Sequence, residues 1–465
     1  MSDHLRRIFD LQQAHCLTLR GTDAAARIKK LRKLKSIIEA NEPAIYEALH
    51  TDLGKPRFEA AFGEVYFTYA EIDFAIKNLS GWMKPKRVKA GLTGLFSKNH
   101  IYYEPKGVVL IIAPWNYPFQ LLMSPLVSAI AAGNCVMVKP SELSPATSRI
   151  VHNLISENYD TMEIACFEGD AEIAKSLLEL PFDHIFFTGS GRIGKVVMTA
   201  AAKNLSSVTL ELGGKSPVII DEHCNITQAA QKIVWGKFMN AGQTCIAPDY
   251  ILIRPEQQEA FISAAKEAIK KFYYQNSEIA STSYGRIINS SNFRRLTSLI
   301  LEAKEKGATD HSDHNPDPDK LMIEPVLISN VPVDCGLMEE EIFGPVLPIM
   351  TYNTMSEAIS FINGREKPLA LYIFSGRKSV ADQIIRETSA GGTTVNDVMT
   401  HIANPRLPFG GAGTSGMGSS HGFFGFKAFS HERGVMVQSP VNFNHLAYPP
   451  YNQKEWIFKW LKKMM

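Results

Sequence analysis

The sequence predicts an α/β protein made of two parallel-sheet units, and three observations carry that prediction. From Gly107 onward, the short apolar runs GVVLIIAP, NCVMVKP, HIFFTGS and VTLELGG alternate with helical stretches near 119–132 and 145–157. That is the texture of strands buried on both faces. A second set of runs, KSPVII, YILIRP, PVLISNV and PLALYIFS, begins near 211 and is again interleaved with helices, one of them over 257–272. Finally, 465 residues with 45% hydrophobic content exceed what one simple core accommodates, so two or three domains are expected.

Residues 22 to about 82 precede these units and read as helical. Ile28, Leu31, Leu34 and Ile37 recur every three positions and form one apolar stripe. The basic run KKLRKLK at 29–35 fits a solvated helix face, and a net charge of +2 gives no electrostatic reason to expect nucleic acid. Segment 84–107, KPKRVKAGLTGLFSKNHIYYEPKG, has a basic, glycine-containing start and an aromatic strand, which suit a projecting hairpin. The glycine-rich stretch FGGAGTSGMGSSHG at 409–422 reads as irregular loop.

The chain ends in KEWIFKWLKKMM. Trp456, Ile457, Trp460, Leu461 and Met464 share one helical face, with Lys459, Lys462 and Lys463 largely opposite. Such a helix either makes peripheral contact with an anionic membrane or docks on its own or a partner subunit. It is too short to span, and no run of about 18 apolar residues occurs elsewhere. The charged N-terminus MSDHLRRIFDLQQAH lacks a secretory pattern, so a cytoplasmic protein, possibly membrane-associated through its tail, is expected.

Six cysteines lie scattered at 16, 135, 166, 224, 245 and 335, without a CxxC pair or a histidine at ligand spacing. In a reducing compartment that pattern points away from disulfides and zinc, and no metal site is expected. Cys16, Cys135, Cys166, Cys224 and Cys335 read as packing residues. Cys245, in FMNAGQTCIAP, is either packing or a nucleophile.

Residues 189–195, GSGRIGK, follow the strand HIFFT and precede the helical run KVVMTAAAKNL. Gly189, Gly191 and Gly194 fit a dinucleotide fingerprint, whose glycines permit a tight turn and close approach of phosphate to a helix N-terminus. The same letters nearly fit a nucleotide triphosphate loop, but Val196 stands where a magnesium-binding hydroxyl is needed. The fingerprint also calls for an acid about 20 residues on, at the ribose, and by spacing alone that acid is Glu211. A second glycine match, GAGTSG at 411–416, follows no strand and reads as loop.

Taken together, LELGGKSP at 210–217, GQTCIAP at 242–248 and EEEIFGPVLP at 339–348 resemble the aldehyde dehydrogenase superfamily, and PWNYPF at 114–119 and VKPSEL at 138–143 add to the likeness. It covers residues 5 to 450. KFMNAGQTCIAPDYIL and SFINGREKPLALYIFS are most similar to the class 3 branch, which includes fatty and aromatic aldehyde enzymes. The resemblance implies the aldehyde dehydrogenase-like fold: a Rossmann-type cofactor domain, an α/β catalytic domain and a bridging β-hairpin that pairs subunits, here into a homodimer. The corresponding boundaries are 1–83 and 103–210 for the NAD(P)-binding domain and 211–410 for the catalytic domain. Segments 84–102 and 411–445 form the bridge, and 446–465 is the tail.

The resemblance also implies roles. Cys245 attacks the aldehyde to give a thiohemiacetal, a task that suits a thiol because it is appreciably nucleophilic near neutral pH. The Asn116 amide and the Cys245 backbone N–H hold the oxyanion. After hydride passes to NAD or NADP, Glu211 activates the water that cleaves the thioester. Lys139 and Glu142 take over the ribose, releasing Glu211 from the role that spacing gave it. Gly189, Ser190, Gly194, Trp115, Leu212 and Gly213 border the cofactor, while Glu341 and Phe343 hold the nicotinamide ribose and brace the ring. Lys215 is the neighbouring lysine of the LGGK motif. Tyr66 to Tyr69, Trp115 and 396–405 are expected around the substrate, a medium- or long-chain aliphatic or aromatic aldehyde. Alternatives are transfer of the thioester to CoA, which needs no water-activating base, and a catalytically silent homologue that only binds.

Overall fold

The computed structural model describes residues 2–464 apart from 92, 93, 95, 313–315, 441, 443 and 453, with the side chains of 2, 444, 447, 459–461, 463 and 464 also outside the description. A six-stranded sheet runs in the order Gly416–Met417, Ser207–Glu211, His184–Thr188, Val108–Ile112, Cys135–Lys139 and Ile164–Cys166. Every pairing is parallel except that of Gly416–Met417 with Ser207–Glu211. Alternation along the strands divides the packing. Val109, Ile111, Val136 and Val138 face one core, under helices Ala24–Leu53, Tyr66–Trp82, Gln120–Ala132 and Pro145–Ser156. Val108, Leu110, Cys135 and Met137 face a second core, under Ser2–Arg20, Ala171–Leu178 and Gly191–Lys203. Burial on both faces is the reason these strands read as unbroken apolar runs.

Strand order reverses between Val108–Ile112 and His184–Thr188. The first three strands of this sheet in chain order step outward on one side and the next two on the other. In an open parallel sheet, such a switch point leaves a crevice beyond the carboxyl ends of the strands, where ligands bind.

A seven-stranded sheet follows, in the order Thr309–Asp310, Val326–Ser329, Val346–Thr351, Tyr250–Ile253, Pro217–Ile220, Ala370–Phe374 and Gly392–Val395. Only Thr309–Asp310 is antiparallel. Four of these strands coincide with the apolar runs read from sequence. Val346–Thr351 begins at the end of the EEEIFGPVLP motif, and the partly exposed edge strand Gly392–Val395 carries too little apolar signal to be noticed.

Lys86–Val88 and Lys98–Pro105 form the expected hairpin, and Ser430–Val437 joins it as a third antiparallel strand. The reading of 409–422 as irregular loop needs correction. This stretch contains a helical turn at Gly413–Ser415 and the strand Gly416–Met417, and helix Gly422–Ala428 begins at its end. Gly416 is paired with Glu211. A Cβ at Gly411 would lie 2.1 Å from Ser415 backbone, so glycine here serves close packing rather than flexibility.

All six cysteines are free thiols, and Cys16 and Cys224 are half-buried rather than packed inside. The sequence showed no ligand cluster; in the fold, ligand atoms of Asp221, Glu222 and His223 lie within 4.8 Å of one another, with Glu222 and His223 exposed. Among the described residues no helix is long and apolar enough to cross a membrane.

Candidate active site

Cys245 lies in the loop between helix Ile226–Phe238 and strand Tyr250–Ile253. The approach to it is a run of left-handed residues, Asn240 (φ 54°), Ala241 (φ 51°) and Gly242 (φ 73°). Two of these carry a Cβ, and each costs about 1–2 kcal/mol in that conformation. Surrounding hydrogen bonds hold the run in place. Glu59 accepts the Asn240 N–H at 2.9 Å, and the Asn240 amide donates to the carbonyls of Asn116 and Gln243. Gln243 donates to the carbonyls of Asn240 and Arg286 and accepts from Ile288 N–H, each at 3.0 Å. At Gly242 a Cβ would meet Gly344 O at 2.3 Å, so the cysteine loop packs against the loop carrying Glu341 and Phe343.

Asn116 belongs to the loop after strand Val108–Ile112, at the switch point. Its amide spends one proton on Gln243 O at 3.0 Å. Beneath it, Lys55 donates to Asn116 O at 3.1 Å and pairs with Glu64 at 2.5 Å, both side chains fully buried. Glu64 also accepts the backbone N–H groups of Phe119 and Gln120. A π-helical turn, Ala61–Val65, aims Glu64 at this loop while turning Phe62 toward a cavity.

Cys245 is only partly buried and borders three spaces at once. The first, about 250 Å³, is lined by Trp115, Asn116, Gly189, Ser190, Glu211, Leu212, Gly213, Glu341 and Phe343 among others. The second, about 290 Å³, is largely apolar and lined by Phe62, Tyr66, Tyr117, Trp235, Met399 and Ile402, with other residues. The third is a chamber of about 30 Å³ bounded by Thr188, Glu211, Ser420 and His421, room for one or two waters. Glu211 Oε1 accepts from Ser420 Oγ at 2.8 Å, while Glu211 Oε2 and Thr188 Oγ1 are buried without a hydrogen-bond partner among the described residues.

Burial sets the proton affinities. Desolvation drives Glu211 up to about 7 against the lowering effects of Ser420 and His421. It drives the Cys245 thiol up to about 12, helped by the charges of Glu341 and Glu211 and opposed by backbone N–H groups. Glu341 rises to about 8, first by burial and then by Asp249.

A cleft of about 620 Å³ shares Ser190, Gly213 and Glu341 with the 250 Å³ space, and Gly191, Gly214, Lys215 and Thr414 help line it. It thus passes the N-terminus of helix Gly191–Lys203, where an anion is favoured. A Cβ at Gly194 would meet Leu212 Cδ2 at 2.7 Å, so this glycine lets helix and strand pack closely. Trp115 and Phe343 meet edge to face at 5.3 Å and wall the inner space. These residues fit an extended dinucleotide. Lys139 and Glu142 pair with each other at 2.5 Å near the carboxyl end of the adjacent strand and border neither of the two clefts. Lys215 is committed to Asp249 and to the carbonyls of Leu337 and Glu340.

The aldehyde dehydrogenase family model matches residues 3–435. The chain belongs to that family. It is therefore an oxidoreductase of aldehydes that works with a nicotinamide dinucleotide. The 4,4'-diaponeurosporen-aldehyde dehydrogenase of Staphylococcus aureus is 46% identical over 96% of this chain and 95% of that protein. Human aldehyde dehydrogenase family 3 member B1 is 42% identical over 98% of this chain and 95% of that protein, which places class 3 members among the relatives. A solved structure of the substrate-bound state of Staphylococcus aureus AldH superposes with a TM-score of 0.93 at 45% identity, covering 99% of both chains.

Of the residues expected around the aldehyde, Tyr66, Phe67, Met399, Thr400, Ile402, Ala403 and Pro405 line the apolar cavity. Tyr69 points elsewhere and donates to Glu42, and Trp115 lies on the dinucleotide side of Cys245. Sequence reasoning missed Thr188, Ser420 and His421. The only signal for the serine and histidine was a pair of polar residues between glycines in GSSHG.

Proposed function

We propose that the enzyme oxidises a medium- or long-chain aliphatic or aromatic aldehyde to its carboxylic acid with NAD or NADP, using Cys245 as nucleophile and Glu211 as base. The observation that carries this reading is the position of Cys245 at the meeting point of an apolar pocket, a dinucleotide-sized cleft and a water-sized chamber containing Glu211. The aldehyde enters from the apolar side, whose aromatic lining supports a hydrophobic chain or ring. The Cys245 sulfur bonds to the carbonyl carbon, and its proton passes to Glu211, the chamber group that ionises near neutrality. The oxyanion lies between Asn116 Nδ2 and the Cys245 N–H.

When bound, the nicotinamide supplies the hydride acceptor; Trp115, Gly213, Glu341 and Phe343, which line the inner space, would hold it. Glu211 and Thr188 then hold a water in the small chamber. Once Glu211 has released the thiol proton to solvent, the water oxygen bonds to the acyl carbon, one water proton goes to Glu211, and the carbon–sulfur bond breaks with sulfur leaving as thiolate. A base in a water-sized chamber argues against transfer to CoA.

Reduced nicotinamide formation by wild type, Cys245→Ala and Glu211→Gln with an aldehyde panel tests the scheme. Cys245→Ala is expected to be inactive, and Glu211→Gln, which lacks the proton acceptor for both steps, to give at most one slow burst and no steady turnover. Steady turnover by Cys245→Ala would refute the nucleophile, and turnover only on adding CoA would favour acyl transfer.

We further propose a cytoplasmic homodimer joined through the outer three-stranded sheet. Helix Glu455–Met464 leaves Trp456 and Phe458 exposed, while Trp460, Leu461 and Met464 lie outside the described side chains. Peripheral membrane contact through this helix predicts binding to anionic vesicles that is lost on deleting 453–465; binding unchanged by the deletion would leave docking on a subunit.

A further inference from the structure

The reaction outlined above leaves one wall of the water chamber unused. His421 lines that wall beside Glu211 and Ser420 and is buried to 4% exposure. Its Nδ1 lies 3.4 Å from Glu71 Oε1, a carboxylate side chain that is itself 5% exposed. The second Glu71 oxygen accepts the Gly422 N–H at 3.1 Å. One residue earlier, Ser420 donates to Glu211. Residues 420–422 therefore join two buried carboxylates, one from helix Tyr66–Trp82 and one from the end of strand Ser207–Glu211.

The turn adopts an unusual backbone to do so. His421 has φ 68° and ψ 142°, a region that side-chain-bearing residues rarely occupy, and Gly422 follows at φ 49°. Phe67 and Phe409 close on the imidazole edge to face, each at 5.3 Å between ring centres. The titratable groups facing it are Glu71 from the helix, Glu211 from the strand and Cys245 across the chamber.

We propose that Glu71, His421 and Glu211 form one charge array, in which an imidazolium fixed by Glu71 keeps the Glu211 carboxylate ionised and turned toward the water beside Cys245. This rests on the reading that Glu211 activates water. Burial pushes the His421 pKa down, but the charge and contact of Glu71, joined by Glu211, lift it above its ordinary value. Burial pushes Glu71 up, and His421 together with the Gly422 N–H brings it below the usual carboxylate value. His421 in turn opposes the desolvation that raises Glu211. His421 is thus a positioning residue, acting through Glu211.

Stopped-flow bursts and steady-state pH profiles of wild type, Glu71→Gln, His421→Gln, the double variant and Glu211→Gln test the array. In the His421→Gln and double variants the burst is expected to stay stoichiometric with enzyme, reporting an intact fold and acylation. The acid limb of the steady-state rate should move up by about one unit or more, so that a deficit of about tenfold at neutral pH recovers in alkali. A stoichiometric burst with an unmoved limb would overturn the array and leave Glu211 as base; steady turnover by Glu211→Gln would overturn the underlying reading instead. If His421→Gln fails to fold, the double variant, which strands no buried charge, carries the test. Loss of its burst as well would assign the pair to folding alone and overturn the proposal.

Discussion

At the scale of residues, the thiol of Cys245 and the carboxyl of Glu211 border the same small chamber, and desolvation raises both. A thiol raised to about 12 does not ionise by itself at neutral pH, so the proposed attack depends on a neighbouring base. Glu211 at about 7 is protonated below that pH and competent above it. Turnover is therefore expected to climb about tenfold between pH 6 and pH 8 along a single-proton limb, measured as initial rate at saturating aldehyde. A flat profile would mean that Glu211 is not the limiting base. Cys245, Glu211 and Asn116, the proposed nucleophile, base and oxyanion donor, could be singled out because each sits in a contiguous motif. Glu71 and His421 could not be, since 350 positions separate them and GSSHG has the composition of an ordinary loop.

At the scale of elements, the loop bearing Asn116 rests on a buried ion pair rather than on apolar packing. Lys55 and Glu64 have no exposed side-chain surface; Glu64 Oε1 meets the lysine, and Oε2 accepts both loop N–H groups and so ties the π-helical turn to the loop. Removing the lysine leaves that carboxylate uncompensated. Lys55→Ala is expected to cost about 3–5 kcal/mol in urea unfolding, well beyond a surface lysine control. A cost below about 1 kcal/mol would show that the pair does not hold the loop. The parallel strands were readable because two buried faces give continuous apolar runs. Edge strands such as Gly392–Val395 were not, because half-exposed residues with small or polar side chains look like loop. Glycine misled in the same way at 411–416, where close backbone packing has the same letters as flexibility.

At the scale of the whole molecule, the carboxyl ends of the first sheet meet the loops that enter the second. Glu211, Thr188 and the Asn116 loop come from one side; Cys245 and Glu341 come from the other. Neither sheet alone carries the whole of the proposed reaction centre. The outer sheet leaves Ser430–Val437 as an edge strand, with Met436 and Val437 more than half exposed. Such an edge invites pairing, and charge blocks it. Met436→Lys combined with Val437→Lys is expected to convert a dimer to monomer in light scattering; an unchanged mass would place the subunit contact elsewhere.

The division of space around Cys245 also acts as a sieve. A chamber of about 30 Å³ admits water and little else, whereas the opposite pocket is about ten times larger and apolar. In the proposed scheme, a nucleophile that reaches the acyl carbon from the Glu211 side must be about the size of water, which disfavours bulky alcohols and amines. Under that scheme, volume favours the acid over bulkier esters and amides before any difference in chemical reactivity comes into play.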